Sequence, residues 1–170
     1  VYADTSGVAR TAVFSAWQSA AVSAGGLVGP ALTAMLFFMM ARGPRGARAA
    51  LVLTGVTLLA VDALLVRNLF GGVFIGFVAL VSLLIAWKAP HASQLTVVFV
   101  AVQLALSVFS RGDYLFTPVA NMAAGDMPSD VANIASVLIL PYWVWGALCG
   151  LISIVALLLG VASFLRLSRR

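Results

Sequence analysis

The sequence lacks glutamate altogether and contains one histidine, His91, and one cysteine, Cys149, among its 170 residues. A His-Glu-x-x-His metal site needs two histidines and a glutamate, so the chain cannot build one from its own residues. A single cysteine excludes an internal disulfide and leaves no cysteine cluster for a metal. His91 and Lys88 share one surface loop, so a membrane-embedded serine nucleophile has no base in reach. These absences exclude a His-Glu-x-x-His zinc site within the chain and disfavour a membrane-embedded serine protease.

Charge is scarce as well. Charged residues make up 9% of the chain and hydrophobic residues 63%, with a mean hydropathy of +1.12. An average soluble domain is about one quarter charged, so this composition predicts a polytopic membrane protein. The net charge of +5 would suggest nucleic acid in a soluble protein. Here the basic residues are interpreted as determinants of membrane topology, and no nucleic-acid partner is expected.

Five apolar segments are long enough to cross a hydrocarbon core of about 30 Å as helices. The predicted spans cover residues 12–41, 49–66, 70–87, 95–110 and 138–165. Before the last span, Ser129 and Asp130 predict the capped start of a short interfacial helix that ends near Val137. The predicted fold is all-α: a polytopic transmembrane helical bundle that forms one integral membrane domain over residues 1–170. Residues 1–10 are polar and predict a strand or loop at the membrane surface.

The basic residues predict the orientation. With the amino end outside, the loop 42–48, Lys88 and the tail 166–170 face the cytoplasm, which collects seven of the ten basic residues there. This is the pattern expected of cytoplasmic loops. We expect an integral membrane protein that contacts the lipid bilayer and has a cytoplasmic carboxyl end.

Several residues inside the apolar segments predict particular structural roles. Gly26 and Gly29 leave the first span without bulky side chains at these positions, and Pro30 removes one of its backbone hydrogen bonds. These features favour either a kinked helix that packs closely against its neighbours or a backbone that lies next to a substrate. Gln103 predicts a hydrogen bond to a neighbouring helix. Pro141 lies near the first turns of the last span, where Tyr142, Trp143 and Trp145 are typical of an aromatic belt.

Two residues near the end of the second span carry charge. A charge at the bilayer centre costs ~2.5–3.5 kcal/mol on insertion scales, so Asp62 is predicted to be interfacial or paired rather than lipid-facing. Arg67 follows it in a turn and is interpreted as a turn residue or an interface anchor.

Four stretches, taken in order, resemble the bacterial B-like branch of the site-2-protease-type zinc metallopeptidases. They are AGGLVGPAL at 24–32, VRNLFG at 66–71, VQ at 102–103, and SDVA at 129–132 together with PYWVW at 141–145. The resemblance covers nearly the whole chain, and its specificity comes from the order and spacing of the four stretches.

The resemblance implies an activity and a cofactor. In that family an earlier helix carries His-Glu-x-x-His, and zinc-bound water cleaves peptide bonds in or near the membrane. Residues 1–10 look like the end of the polar strand region that follows this helix. Zinc would then bind only if a missing segment upstream of Val1 supplied the ligands, and the chain as given would be inactive. A start at a non-standard codon is the alternative to a missing segment.

The same resemblance implies an acidic ligand from a later helix, for which Asp62, Asn68 and Asp130 are the candidates. Simpler interpretations of two of them are a helix cap for Asp130 and a turn or interface anchor for Asn68. The implied partner is a membrane-protein substrate.

Two other functions stay open. A non-catalytic membrane scaffold that binds partner helices fits the small residues of the first span and the short fourth span. A small transporter is less favoured, since Gln103 and a few hydroxyls are the polar groups near mid-membrane.

Overall fold

The computed structural model describes residues 15–110, 113–122 and 125–167. Within these ranges the α-helices are α1 (Ala16–Met40), α2 (Pro44–Leu65), α3 (Leu69–Lys88), α4 (Pro90–Phe109), α5 (Asp130–Val137) and α6 (Tyr142–Leu167). Five of them, all except α5, are long and apolar enough to cross a membrane. The predicted all-α fold with about five spans is therefore confirmed, and the short helix α5 follows Ser129 as predicted. The strand or loop predicted for residues 1–10 lies outside the described residues.

Several helices begin at a proline or directly after one. α2 begins at Pro44 and α4 at Pro90, each five residues before the predicted start of its span. Proline fits the first helical turn because its missing N–H would have no partner there. α6 begins at Tyr142, directly after Pro141, and not at residue 138. Composition alone extends this span backwards, because residues 138–140 are as apolar as the helix itself.

A short antiparallel hairpin lies between α4 and α5. Its strands are β1 (Val119–Met122) and β2 (Gly125–Pro128), and Val119 pairs with Pro128. A 3₁₀ turn, Asp113–Phe116, precedes it. No strand was predicted for this stretch, so the hairpin is an addition to the predicted fold.

The described chain forms two compact units. The first unit contains residues 40–99, and the second contains residues 15–39 and 100–167. That all 170 residues form a single integral membrane domain stays a prediction.

In the first unit, α2 and α3 form a helical hairpin that is closed by small residues. A Cβ atom at Gly55 would lie 2.6 Å from Cγ of Leu83 and 3.1 Å from the carbonyl oxygen of Ala79. The absence of a side chain at Gly55 therefore lets the two helices approach closely, as is common in membranes. At the end of the hairpin where α2 begins, Nε2 of Gln94 on α4 donates to the carbonyl oxygen of Ala41 at 2.7 Å.

In the second unit, α5 and α6 pack together around a small core. Ala20, Ile134 and Cys149 are its buried residues. Further along α6, the rings of Phe38 and Phe164 lie 6.2 Å apart between centroids.

Large apolar side chains cover much of the molecular surface. Leu69, Phe77 and Leu95 are 85%, 65% and 74% exposed. An aqueous protein rarely presents so much contiguous apolar surface, whereas a bilayer solvates it. The exposed side chains support the integral membrane assignment.

Candidate functional site

The carboxylate of Asp62 lies in a notch between α2 and α3. Oδ1 is 3.3 Å from the position that a Cβ atom would take at Gly72, and Oδ2 is 3.4 Å from the corresponding position at Gly76. Asp62 is half-buried and lies in the last turn of α2, where its carbonyl oxygen accepts from the N–H of Val66 at 3.3 Å. Two glycines one turn apart on α3 thus leave room for the carboxylate. We call this arrangement of Asp62, Gly72 and Gly76 the glycine notch.

No side chain pairs with this carboxylate within the described ranges. Arg67 is exposed in the turn that follows α2 and makes no ion pair with Asp62. The glycine notch therefore shields Asp62 on one side without supplying a counter-charge.

Asn68 has a structural role in the same turn. Its Oδ1 accepts from the N–H of Phe70 at 2.9 Å, which caps the amino end of α3. This bond satisfies one of the free amides at a helix start. The turn interpretation of Asn68 is thus supported by a specific hydrogen bond, for which its side-chain oxygen is the acceptor.

In the second unit, Ser129 anchors the start of α5. Its side chain is fully buried, its Oγ accepts from the N–H of Ala132 at 3.2 Å, and its own N–H donates to the carbonyl oxygen of Pro118 at 3.1 Å. Asp130, the first residue of α5, is half-buried in the positive end of the helix. The carboxylate there favours the helix dipole, so the cap predicted from the sequence is present.

Trp145 is half-buried at the edge of the core of the second unit. It packs against the cluster formed by Ala20, Ile134 and Cys149. Its Nε1 is buried and has no hydrogen-bond partner in the described part of the chain. The neighbouring Trp143 is 55% exposed and fits the predicted belt better. Pro141 is exposed directly before α6, and its carbonyl oxygen accepts from the N–H of Val144 at 3.0 Å.

The glycines of α1 have no close neighbours. A Cβ atom at Gly26 or Gly29 would meet nothing within 4 Å, so these glycines do not serve close packing among the residues described. Gly26 and Pro30 line a cavity of about 20 Å³ together with Ser153 of α6. This is room for about one water molecule.

Gln103 differs from its prediction. Its side chain is exposed on α4 and makes no hydrogen bond to another described residue. The expected bond to a neighbouring helix is therefore missing within the described chain. The reason is the direction of the side chain around the helix axis, which an evenly apolar helix does not reveal in its sequence.

The predicted metal-ligand candidates belong to different units of the structure. Asp62, Arg67 and Asn68 lie at one turn of the first unit, whereas Asp130, Pro141 and Trp145 belong to the second. Among the described residues, no group of three or more His, Cys, Asp or Glu side chains could hold a metal ion. The donor set present therefore does not fit a zinc site by itself.

Sequence reasoning missed two features of the site. It did not predict that Gly72 and Gly76 face Asp62, although a glycine pair four residues apart is a signal for close approach. It did not identify Ser153, which is buried on α6 and lines the small cavity. Nothing in the sequence distinguishes Ser153 from the other hydroxyls of the apolar segments.

Comparison with known proteins identifies the family. No curated protein and no solved structure matches the chain. The family described as peptidase M50B-like matches residues 1–160. This match covers all of the stretches on which the resemblance to site-2-protease-type peptidases was based. The chain therefore belongs to the peptidase M50B-like family of membrane proteins.

Proposed function

We propose that this chain is the membrane body of a site-2-protease-like zinc metallopeptidase and is inactive by itself. The observation that carries this proposal is the family match over residues 1–160, on a chain with five helices able to span a membrane. Inactivity follows from the residues available, since one histidine and no glutamate cannot bind zinc and activate water in the manner of His-Glu-x-x-His. A His-Glu-x-x-His segment outside these 170 residues would have to complete the enzyme.

The described carboxylates differ in how well they suit the later acidic ligand that the resemblance implies. Asp62 is the stronger candidate because its carboxylate has no partner among the described residues and lies in the glycine notch. Asp130 is already favoured by the start of α5. Asn68 is the weakest, because its oxygen caps α3.

The test is the intact mass of the natively expressed protein, with zinc measured on the same sample. A mass well above 17.7 kDa with about one zinc per chain is expected. In that protein, Asp62→Asn should lower the zinc content more than Asp130→Asn does. A mass that matches 170 residues, with no zinc, would overturn the proposal.

The same proposal includes the substrate, the host membrane and the orientation of the chain. The substrate is a membrane protein cleaved in or near the bilayer, and the host is the bacterial plasma membrane. The carboxyl end lies in the cytoplasm, which is supported by the seven basic residues that this orientation places there.

A second candidate function is a non-catalytic scaffold that binds partner helices. It is favoured by Gln103, which lies six residues before the end of α4, or about 9 Å along the helix axis. A side-chain amide exposed to lipid at this depth costs free energy unless a neighbouring helix forms hydrogen bonds with it. The open glycines of α1 would also allow a helix to approach closely.

This candidate predicts a complex that is stable in detergent and needs no metal. Native mass spectrometry of the protein purified from its own membrane should find the partner on the wild type, and the Gln103→Leu variant should lose it. Thr96→Leu, which changes a half-buried polar residue nearer the start of α4, is the matched control. A wild-type protein that is strictly monomeric and without partners would contradict the scaffold function.

A further inference from the structure

An apolar groove with a basic rim lies between α2 and α3, at the end of the hairpin opposite the glycine notch. It has a volume of about 340 Å³ and is lined chiefly by Arg48, Val52, Leu80, Leu83, Leu84 and Trp87. Neither the family match nor the proposed function accounts for it. We call it the Arg48 groove.

The walls of the Arg48 groove suit a hydrocarbon chain. Val52, Leu80 and Leu84 are 40%, 55% and 52% exposed, so they present apolar surface that is not covered by the rest of the unit. Because α2 and α3 both cross the membrane by length and composition, this surface runs along the direction of lipid acyl chains. An acyl chain can lie against these three apolar side chains.

The rim of the groove suits a phosphate. Arg48 lies in the second turn of α2 and is exposed. Trp87, in the last turn of α3, is 71% exposed, and Nζ of Lys88 lies 5.7 Å from the centroid of its ring. Tryptophan and basic side chains at a helix end are typical of the headgroup layer of a bilayer. Arg48 therefore lines the groove where a lipid phosphate would lie, and Lys88 lies beside Trp87, another of its lining residues.

The distribution of charge selects an anionic lipid over a zwitterionic one. Residues 40–99 contain five basic residues and one acid, Asp62. Asp62 lies fourteen residues after Arg48 on α2, which is about 21 Å along the helix. Among residues 40–99, a choline or ethanolamine group at the rim would thus meet cations and no carboxylate. A headgroup with a net negative charge is complementary to the rim.

We propose that the Arg48 groove is a binding site for one anionic glycerophospholipid. The lipid phosphate contacts Arg48, Lys88 adds to the local positive potential, and one acyl chain lies against Val52, Leu80 and Leu84. Basic pockets between membrane helices recognise anionic headgroups in this way.

The experiment is native mass spectrometry of the full chain in detergent micelles, titrated with phosphatidylglycerol or with phosphatidylcholine of the same acyl chains. The wild type is expected to keep one phosphatidylglycerol at detergent concentrations that remove phosphatidylcholine. Arg48→Gln should weaken phosphatidylglycerol binding about fivefold, the effect of one basic side chain close to an anionic lipid surface. Val52→Trp, which fills the groove and keeps its charge, should also lower binding.

The matched control is Arg67→Gln, which removes the same charge from the opposite end of the same hairpin and should leave binding unchanged. Equal weakening by Arg48→Gln and Arg67→Gln would overturn the proposal, because it would show attraction to net charge alone. Equal retention of the two lipids by the wild type would overturn it as well. An unchanged affinity in Val52→Trp would overturn the acyl-chain assignment and with it the site.

Discussion

The carboxylate of Asp62 lies against the bare backbone of Gly76, with Oδ2 3.4 Å from the position that a Cβ atom would occupy. Gly72 does the same for Oδ1 at 3.3 Å. The two glycines leave room for the carboxylate between the two helices of the hairpin. No side chain of opposite charge pairs with it among the described residues. Such an arrangement is costly for the fold, since a charge inside a membrane is normally paired or faces a polar cavity.

The first prediction concerns this cost. Asp62→Asn should stabilise the chain in detergent by roughly 1–2 kcal/mol, less than the ~2.5–3.5 kcal/mol of a charge at the bilayer centre because Asp62 is one turn from the end of α2. Asp130→Asn should have the opposite sign and destabilise by ~0.3–1 kcal/mol, since Asp130 favours the dipole of α5. The measurement is the free energy of unfolding in a mixed-micelle titration. Shifts of the same sign in the two variants would contradict the assigned environments.

The second prediction concerns the closest contact between α2 and α3. Gly55→Ala should destabilise the chain by ~1–3 kcal/mol, because its Cβ atom would lie 2.6 Å from Cγ of Leu83 and near the backbone of Ala79. Gly26→Ala is the matched control, since its Cβ atom would meet nothing within 4 Å. It should be neutral or gain up to ~1 kcal/mol of helix propensity. Thermal unfolding in one detergent compares the two, and equal losses would show that α2 and α3 are not this close.

The third prediction concerns the start of α5. Ser129→Ala removes the hydroxyl that accepts from the N–H of Ala132 and should cost about 1 kcal/mol. Hydrogen exchange at the Ala132 amide should then accelerate about fivefold, which is the same free energy expressed as a rate ratio. Ser136→Ala, an exposed serine on the same helix, should change this exchange little. Unchanged exchange in Ser129→Ala would exclude the cap.

Much of this fold could be predicted from the sequence because its main signals are local. An apolar run of sufficient length predicts a span whatever its neighbours, and five such runs became five helices. The cap at Ser129 is equally local, because the serine and the amide that it accepts from are three residues apart. The hairpin Val119–Pro128 was missed because strand pairing depends on backbone contacts across a turn, and its residues are common in loops.

The candidate site was harder to predict, since it depends on which way side chains point. Asp62 was singled out for its charge, but the glycine notch joins residues ten and fourteen positions apart through helix packing. Arg48 and Trp87 line one groove from positions 39 residues apart in the chain. In a helix that is apolar all round, no periodicity distinguishes the packed side from the lipid side, so the exposure of Gln103 could not be foreseen.

The last prediction concerns orientation, because the basic residues place the loop before α2 in the cytoplasm and the turn before α3 outside. In a Cys149→Ala background, which removes the chain's own thiol, Leu69→Cys should react in intact cells with a maleimide that cannot cross membranes. Leu69 is suited to this because its side chain is 85% exposed. Gly43→Cys should react only after the cells are opened, and the Cys149→Ala chain alone should not react in either case. Labelling of Gly43→Cys in intact cells, without labelling of Leu69→Cys, would reverse the orientation and place the rim of the Arg48 groove in the outer leaflet.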